Sequence, residues 1–374
     1  MRTPGRFLFD MPLLFAAVLA VSACKTSKPR SDLESVEIPQ SPVKNKMKIG
    51  FCWAYATTDF LESEYKKKSG VHLNLSEEAL GFYRIAEHLM EIVGTKADPA
   101  KIMADIACQR FQGLHVLKVR DTQRAGGFEL AERHGVIPED VYSVKFESED
   151  QRADTFYGIR ERMKILLAEK PAAKITREDI ESRVIVRPAG SETRASNFLS
   201  VPPLSFSYQG KTWTPQDFYR QHLNVKPSDY VKLEFRSEAD YPKLVMLIKK
   251  TLAAGVSVPF GFGVDRNHLF QEDGVTVFSG KKTVAGPNPT VDPYAAKADP
   301  LKESGCPPKT MEEYAQGKHA VVITDFVNKG GKEGAFESQQ KLDREVGKSA
   351  DELEYLKIKN NWGIDEEGDE DGNA

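Results

Sequence analysis

VKNKMKIGFCWAYATTDFLESEY, Val43–Tyr65, is the stretch from which the rest of the chain is read. A polar lead-in passes through Gly50-Phe51-Cys52-Trp53 into a helical pattern in which Ala54, Phe60, Leu61 and Tyr65 share one buried face. Gly70, after Lys66-Lys67-Lys68, is the expected stop. Cys52 therefore falls at or just before a helix N-terminus. Aligned peptide dipoles and free N–H groups favour negative charge there. A thiol so placed gives up its proton more readily, and the thiolate is the nucleophile. A small buried thiol heading a core helix fits the same residues equally well.

What separates the two readings lies downstream. A thiolate nucleophile needs a proton-shuttling base, and the base needs an orienting partner. Lys318-His319-Ala320-Val321-Val322-Ile323 supplies a histidine at the start of a strand pattern, and Leu356-Lys357-Ile358-Lys359-Asn360-Asn361-Trp362-Gly363 supplies an asparagine after another. With these the chain resembles the papain-like cysteine peptidases, which carry Cys-Trp-Ala-aromatic-Ala on a helix, His-Ala-Val on a strand and Lys-Asn-x-Trp-Gly on the next, in that order. Because cysteine motifs do not transfer between families alone, the ordered set of three carries the resemblance. It implies an α+β, two-lobed fold with a helical N-terminal lobe, a β-rich C-terminal lobe and the active site between them.

Composition fits that reading. The chain has 374 residues, enough for one large domain or two lobes. Net charge is −3 with 29% charged residues and no long basic block, so nothing points to nucleic acid. The N-terminus reads as a targeting segment: Arg2 and Arg6 lead into an apolar run, Met11–Ser22, too short to span a bilayer comfortably. It ends in Val21-Ser22-Ala23-Cys24, which resembles a bacterial lipobox and implies a leader over 1–23, lipid on Cys24 and a membrane anchor. Lys25 after that cysteine suggests the outer membrane, facing the periplasm or exterior. An ordinary secretory signal with an incidental cysteine is the alternative. Cys108 and Cys306 remain, as two buried thiols or a disulfide that export would permit.

Residues 24–42, rich in Ser, Pro and Lys, read as a tether. It leaves no room for a long inhibitory pro-region, which the bleomycin hydrolase branch of the family also lacks. The expected peptidase domain is 43–374, with a helical lobe at 43–150, an insertion at 151–236 and a β-rich lobe at 237–374. Ser76 is the expected N-cap of a helix with acidic Glu77 and Glu78 in its first turn. The continuation GFYRIAEHLMEIV, and more loosely Thr214–Leu223, resembles the bleomycin hydrolase branch. Gly126-Gly127 opens a further helix, and two glycines let a backbone approach a ligand closely. The resemblance places Gly127 in the cleft, pairing with substrate main chain; a plain helix-opening turn is the other reading. Helices are expected at 101–110, 157–169 and 241–254. Strands are expected at 255–264, 275–278, 320–326 and 355–359.

The implied chemistry is acyl transfer. Cys52 attacks a peptide carbonyl as thiolate, His319 protonates the leaving amine and then activates water, Asn360 orients the imidazole, and Trp362 shields that hydrogen bond. Trp53, Gly126 and Gly127 are the candidate substrate-binding residues, and no metal or organic cofactor is implied. Two departures bear on activity. The family places a Gln six residues before the nucleophile as an oxyanion donor beside the Cys52 N–H, and Lys46 stands there. A flexible ammonium replaces a fixed amide, and losing one such donor costs about 10²–10³ in rate. After Trp362-Gly363 comes the acidic run 364–374 where relatives continue with a Gly-aromatic strand; it matches a calcium loop only in its first spacings and reads as a solvated tail. Endo- versus exopeptidase action, and an active enzyme versus an inactive peptide-binding relative, stay open.

Overall fold

The computed structural model describes residues 15–20, 38, 40–42, 44, 51–95, 98, 126–144, 149–185, 200–225, 230–235, 238–265, 269–272, 275–278, 316–330 and 339–359. Helix and sheet are mixed, as an α+β reading expects. Strand β1 (Phe15–Ala20) comes first, followed by helices α1 (Cys52–Ser69), α2 (Glu77–Thr95), α3 (Gly127–His134) and α4 (Glu149–Glu169). A hairpin of β2 (Phe206–Tyr208) and β3 (Lys211–Trp213) leads to β4 (Tyr230–Phe235) and α5 (Tyr241–Ala253). Then come β5 (Val258–Asp265), the hairpin β6 (Leu269–Glu272) and β7 (Val275–Phe278), β8 (Gln316–Asn328), α6 (Gln339–Gly347) and β9 (Leu353–Lys359).

The larger sheet has the strand order β4-β1-β5-β8-β9, with antiparallel pairing throughout. Helices α1 and α5 both pack on β5 and β8. Strand alternation assigns them to opposite faces. Ile358 joins the cluster of Leu244, Ile248 and Leu252 from α5, whereas its neighbour Lys359 reaches Asp59 of α1.

Local signals hold where expected. The Ser76 hydroxyl accepts from the Ala79 N–H at 3.1 Å and caps α2. Gly70 ends α1 at φ 72°, in the left-handed region that glycine adopts without strain, and its N–H bonds to the Lys66 carbonyl. The helix expected at 241–254 is α5. The strands expected at 320–326 and 355–359 are the longer β8 and β9, because each gains main-chain partners beyond its apolar residues.

Two segments differ from the sequence reading. Ile38 is 2% exposed within the α5 cluster, and Ser41 is buried against α1 and β9. The packed chain thus reaches back to residue 38, held there by one apolar and one hydroxyl anchor, which a Ser/Pro/Lys-rich composition does not advertise. Strand β1 lies within the stretch read as a leader. It pairs with all of β4 but with β5 only at Ala16↔Gly261 and Ala17↔Phe260. The helix expected at 101–110, together with Cys108 and Cys306, lies outside the described residues. Among the described residues no helix is long and apolar enough to cross a membrane.

Candidate active site

Cys52 is the first residue of α1, half-buried, and a free thiol. Phe51 sets its position. That ring is wholly buried and lies so close to α2 that a Cβ at Gly81 would come within 2.5 Å of it. The Phe51 carbonyl accepts from the N–H groups of Ala54 and Tyr55, at 2.7 and 3.0 Å, and so starts the helix. Trp53 is half-buried and meets Phe51 edge-to-face at 6.4 Å between centroids. One turn on, the Thr57 hydroxyl donates to the Trp53 carbonyl at 2.7 Å.

Thr57 also explains Gly127. A Cβ there would stand 2.0 Å from Thr57 Oγ1, so the glycine is required by the close approach of α3 to α1. A Cβ on Gly126, the half-buried residue before the helix, meets nothing within 4 Å. Of the two glycines, 126 has open space beside it and 127 is a packing residue.

His319 belongs to β8, where its main chain pairs with Phe262 of β5. The apolar Val321–Ile323 that follows is buried, and β8 packs on α1, the helix that Cys52 opens. Strand β9 pairs with β8 in the register Val322↔Lys359, so the residue preceding Asn360 lies three positions along β8 from His319's place. Asn360, Trp362, Lys46 and Cys24 lie outside the described residues.

Beneath Cys52, the deeper turns of α1 hold a group of charges that sequence reasoning missed. Lys359 Nζ, 2% exposed, donates to Asp59 Oδ1 at 2.6 Å and to Ser41 Oγ at 2.8 Å. Ser41 donates to Glu62, whose other oxygen accepts from the Leu75 N–H at 2.7 Å. Lys44 Nζ reaches Glu77 at 2.7 Å, Glu139 at 3.2 Å and Glu62 at 3.4 Å, and donates to the Leu75 carbonyl at 2.8 Å. Thr58 donates to Glu77 at 2.8 Å. Burial raises the Glu62 carboxyl to about 7, against the pull of Lys44. Burial beside Glu77 raises Glu78 to about 8. Glu77 is also raised by burial, again opposed by Lys44. For Lys44, burial alone would favour the neutral amine, but the surrounding carboxylates outweigh it and its pKa is raised. The signal in the sequence is slight: nothing near Thr58, Asp59 and Glu62 points to their partners at residues 41, 44, 77 and 359.

No protein-family model matches this chain, and no curated protein does. Among solved structures, the chain is similar to PepW from Lactobacillus rhamnosis HN001. The TM-score is 0.49 at 17% identity, covering 92% of this chain and 78% of that one. At that level of likeness nothing about this chain's activity follows from it.

Proposed function

We propose that this protein is a papain-like cysteine peptidase, with its site between a helical lobe and a β-rich lobe. One observation carries the reading. The helix that Cys52 opens is packed against the strand that bears His319, and the strand leading to Asn360 is paired to that strand and ion-paired to the same helix. The contacts among α1, β8 and β9 support bringing Cys52, His319 and Asn360 together. The Cys52 thiolate attacks a peptide carbonyl and expels the amine, which takes its proton from His319. His319 then accepts a proton from water as the thioester is hydrolysed, while Asn360 holds the imidazole in the productive orientation. The Cys52 N–H stabilises the oxyanion, with Lys46 in the role of the family's amide. Gly126, with open space beside it, and the half-buried Trp53 are the substrate-side residues. We further propose that the mature chain is held to a membrane by lipid on Cys24. Cleavage there would remove β1 and free the edge of β4.

The test is purified protein under reducing conditions with a mixed peptide library, read by mass spectrometry, with Cys52→Ser alongside. The expected result is cleavage that the substitution abolishes, with product ends separating endo- from exopeptidase action. Absence of cleavage by folded wild type would favour the second reading, which Lys46 motivates: a relative without catalysis that binds peptides.

A further inference from the structure

The residue before Asn360 is a fully buried lysine, and its partner lies on the helix that starts with Cys52. Asp59, 0% exposed, sits seven residues after Cys52, about two helical turns. Lys359 closes on it at 2.6 Å, and Ser41 holds the same ammonium at 2.8 Å. A second ladder connects Ser41 to Glu62, one turn further along α1. The strand end is therefore fixed against the helix by directional bonds. Apolar contacts tolerate sliding, whereas a buried ammonium displaced from its carboxylate loses its charged partner, the main compensation for leaving water.

Stability alone does not call for such a pair. Buried ion pairs are often matched or bettered by apolar residues of similar volume. What this pair adds is a unique placement of the end of β9, and Asn360 is the next residue. We propose that Lys359 and Asp59 are a positioning pair, setting where Asn360 stands relative to Cys52. The proposal rests on the triad reading above. Neither residue touches substrate; both act through Asn360.

The test is a double-mutant cycle in the full chain. Asp59→Leu with Lys359→Met removes both charges together, avoiding an orphaned ion. We expect this variant to fold, with KM within about twofold of wild type and kcat lower by about 10²-fold, the order that a 1 Å misplacement costs. In an Asn360→Ala background the same pair of substitutions should change kcat by less than about threefold, because the group they position is gone. Should the apolar variant not fold, Asp59→Asn, which keeps shape and a hydrogen-bond acceptor, is carried through the same cycle. Unchanged kcat, or a loss that adds in full to that of Asn360→Ala, overturns the positioning role and leaves the triad reading standing. Cleavage that survives Cys52→Ser, or no cleavage by wild type, overturns the triad reading and the positioning pair with it.

Discussion

Helices α1 and α5 pack on opposite faces of one sheet and are built on different principles. Helix α5 follows the familiar pattern: Leu244, Val245, Ile248 and Leu252 point inward, and Lys243 and Lys250 stay in solvent. Its one buried charge, Lys249, donates to Asn328 at 2.6 Å and to the Lys348 and Ser349 carbonyls. Helix α1 is buried on nearly every side over its first four turns, and much of what it buries is polar: Thr57, Thr58, Asp59, Glu62 and Ser63. An amphipathic helix needs only apolar depth to dock. A helix surrounded by chain must satisfy each inward polar group, and each partner fixes one more segment against it. The difference teaches why the helix headed by Cys52 can serve as a reference frame for strands that arrive about 270 and 300 residues later, while α5 can serve as a cover.

The sharpest way to break that contrast is to orphan a charge under α1. Lys359→Met leaves Asp59 buried without its ammonium and should cost about 3–5 kcal/mol in urea unfolding. Adding Asp59→Leu should recover most of that loss. If the single and double variants are equally destabilised, the pair is not the unit described here.

The next effect distinguishes the charge cluster beside α1 from the apolar face of α5 by pH. Glu62 of α1 and Glu78 in the first turn of α2 hold their protons more tightly folded than unfolded, with folded values of about 7 and 8 against an ordinary 4.5. The folded state therefore binds more protons between about pH 4.5 and 8, and stability falls as pH rises through that window. The fall should exceed about 1.4 kcal/mol, the equivalent of one pKa unit, and Glu78→Gln should flatten it. Leu252→Ala on α5 should lower stability by about 2–5 kcal/mol without changing the slope. Denaturant titrations at pH 5, 6.5 and 8 check both.

A smaller effect tests the seam between α3 and α1. Gly127→Ala should cost about 1–3 kcal/mol through overpacking against Thr57. Gly126→Ala, with nothing near its new Cβ, should stay within about 0.5 kcal/mol of wild type. Equal costs would contradict the separation of a packing glycine from one with open space.

Much of the frame was legible in the sequence because its signals are local. The Ser76 cap, the Gly70 stop, the α5 stripe and the apolar Val321–Ile323 each announce an element within a few residues. Helix α1 and strands β8 and β9, far apart in sequence, do pack together. What stayed hidden is set by partners distant in sequence. The roles of Asp59 and Glu62 could not be read because nothing near them in sequence shows Lys359 or Ser41. The packing of Gly127 on Thr57 could not be read because Thr57 lies seventy residues away. Ile38 looked like tether because one isoleucine among Ser, Pro and Lys carries no period.

The central claim, that Cys52 is a nucleophile activated by His319, is tested most directly by the rate of Cys52 alkylation with iodoacetamide at pH 6, in wild type and His319→Ala. Faster labelling of Cys52 in wild type than in the variant is the expected result. Equal rates in the two proteins would contradict it.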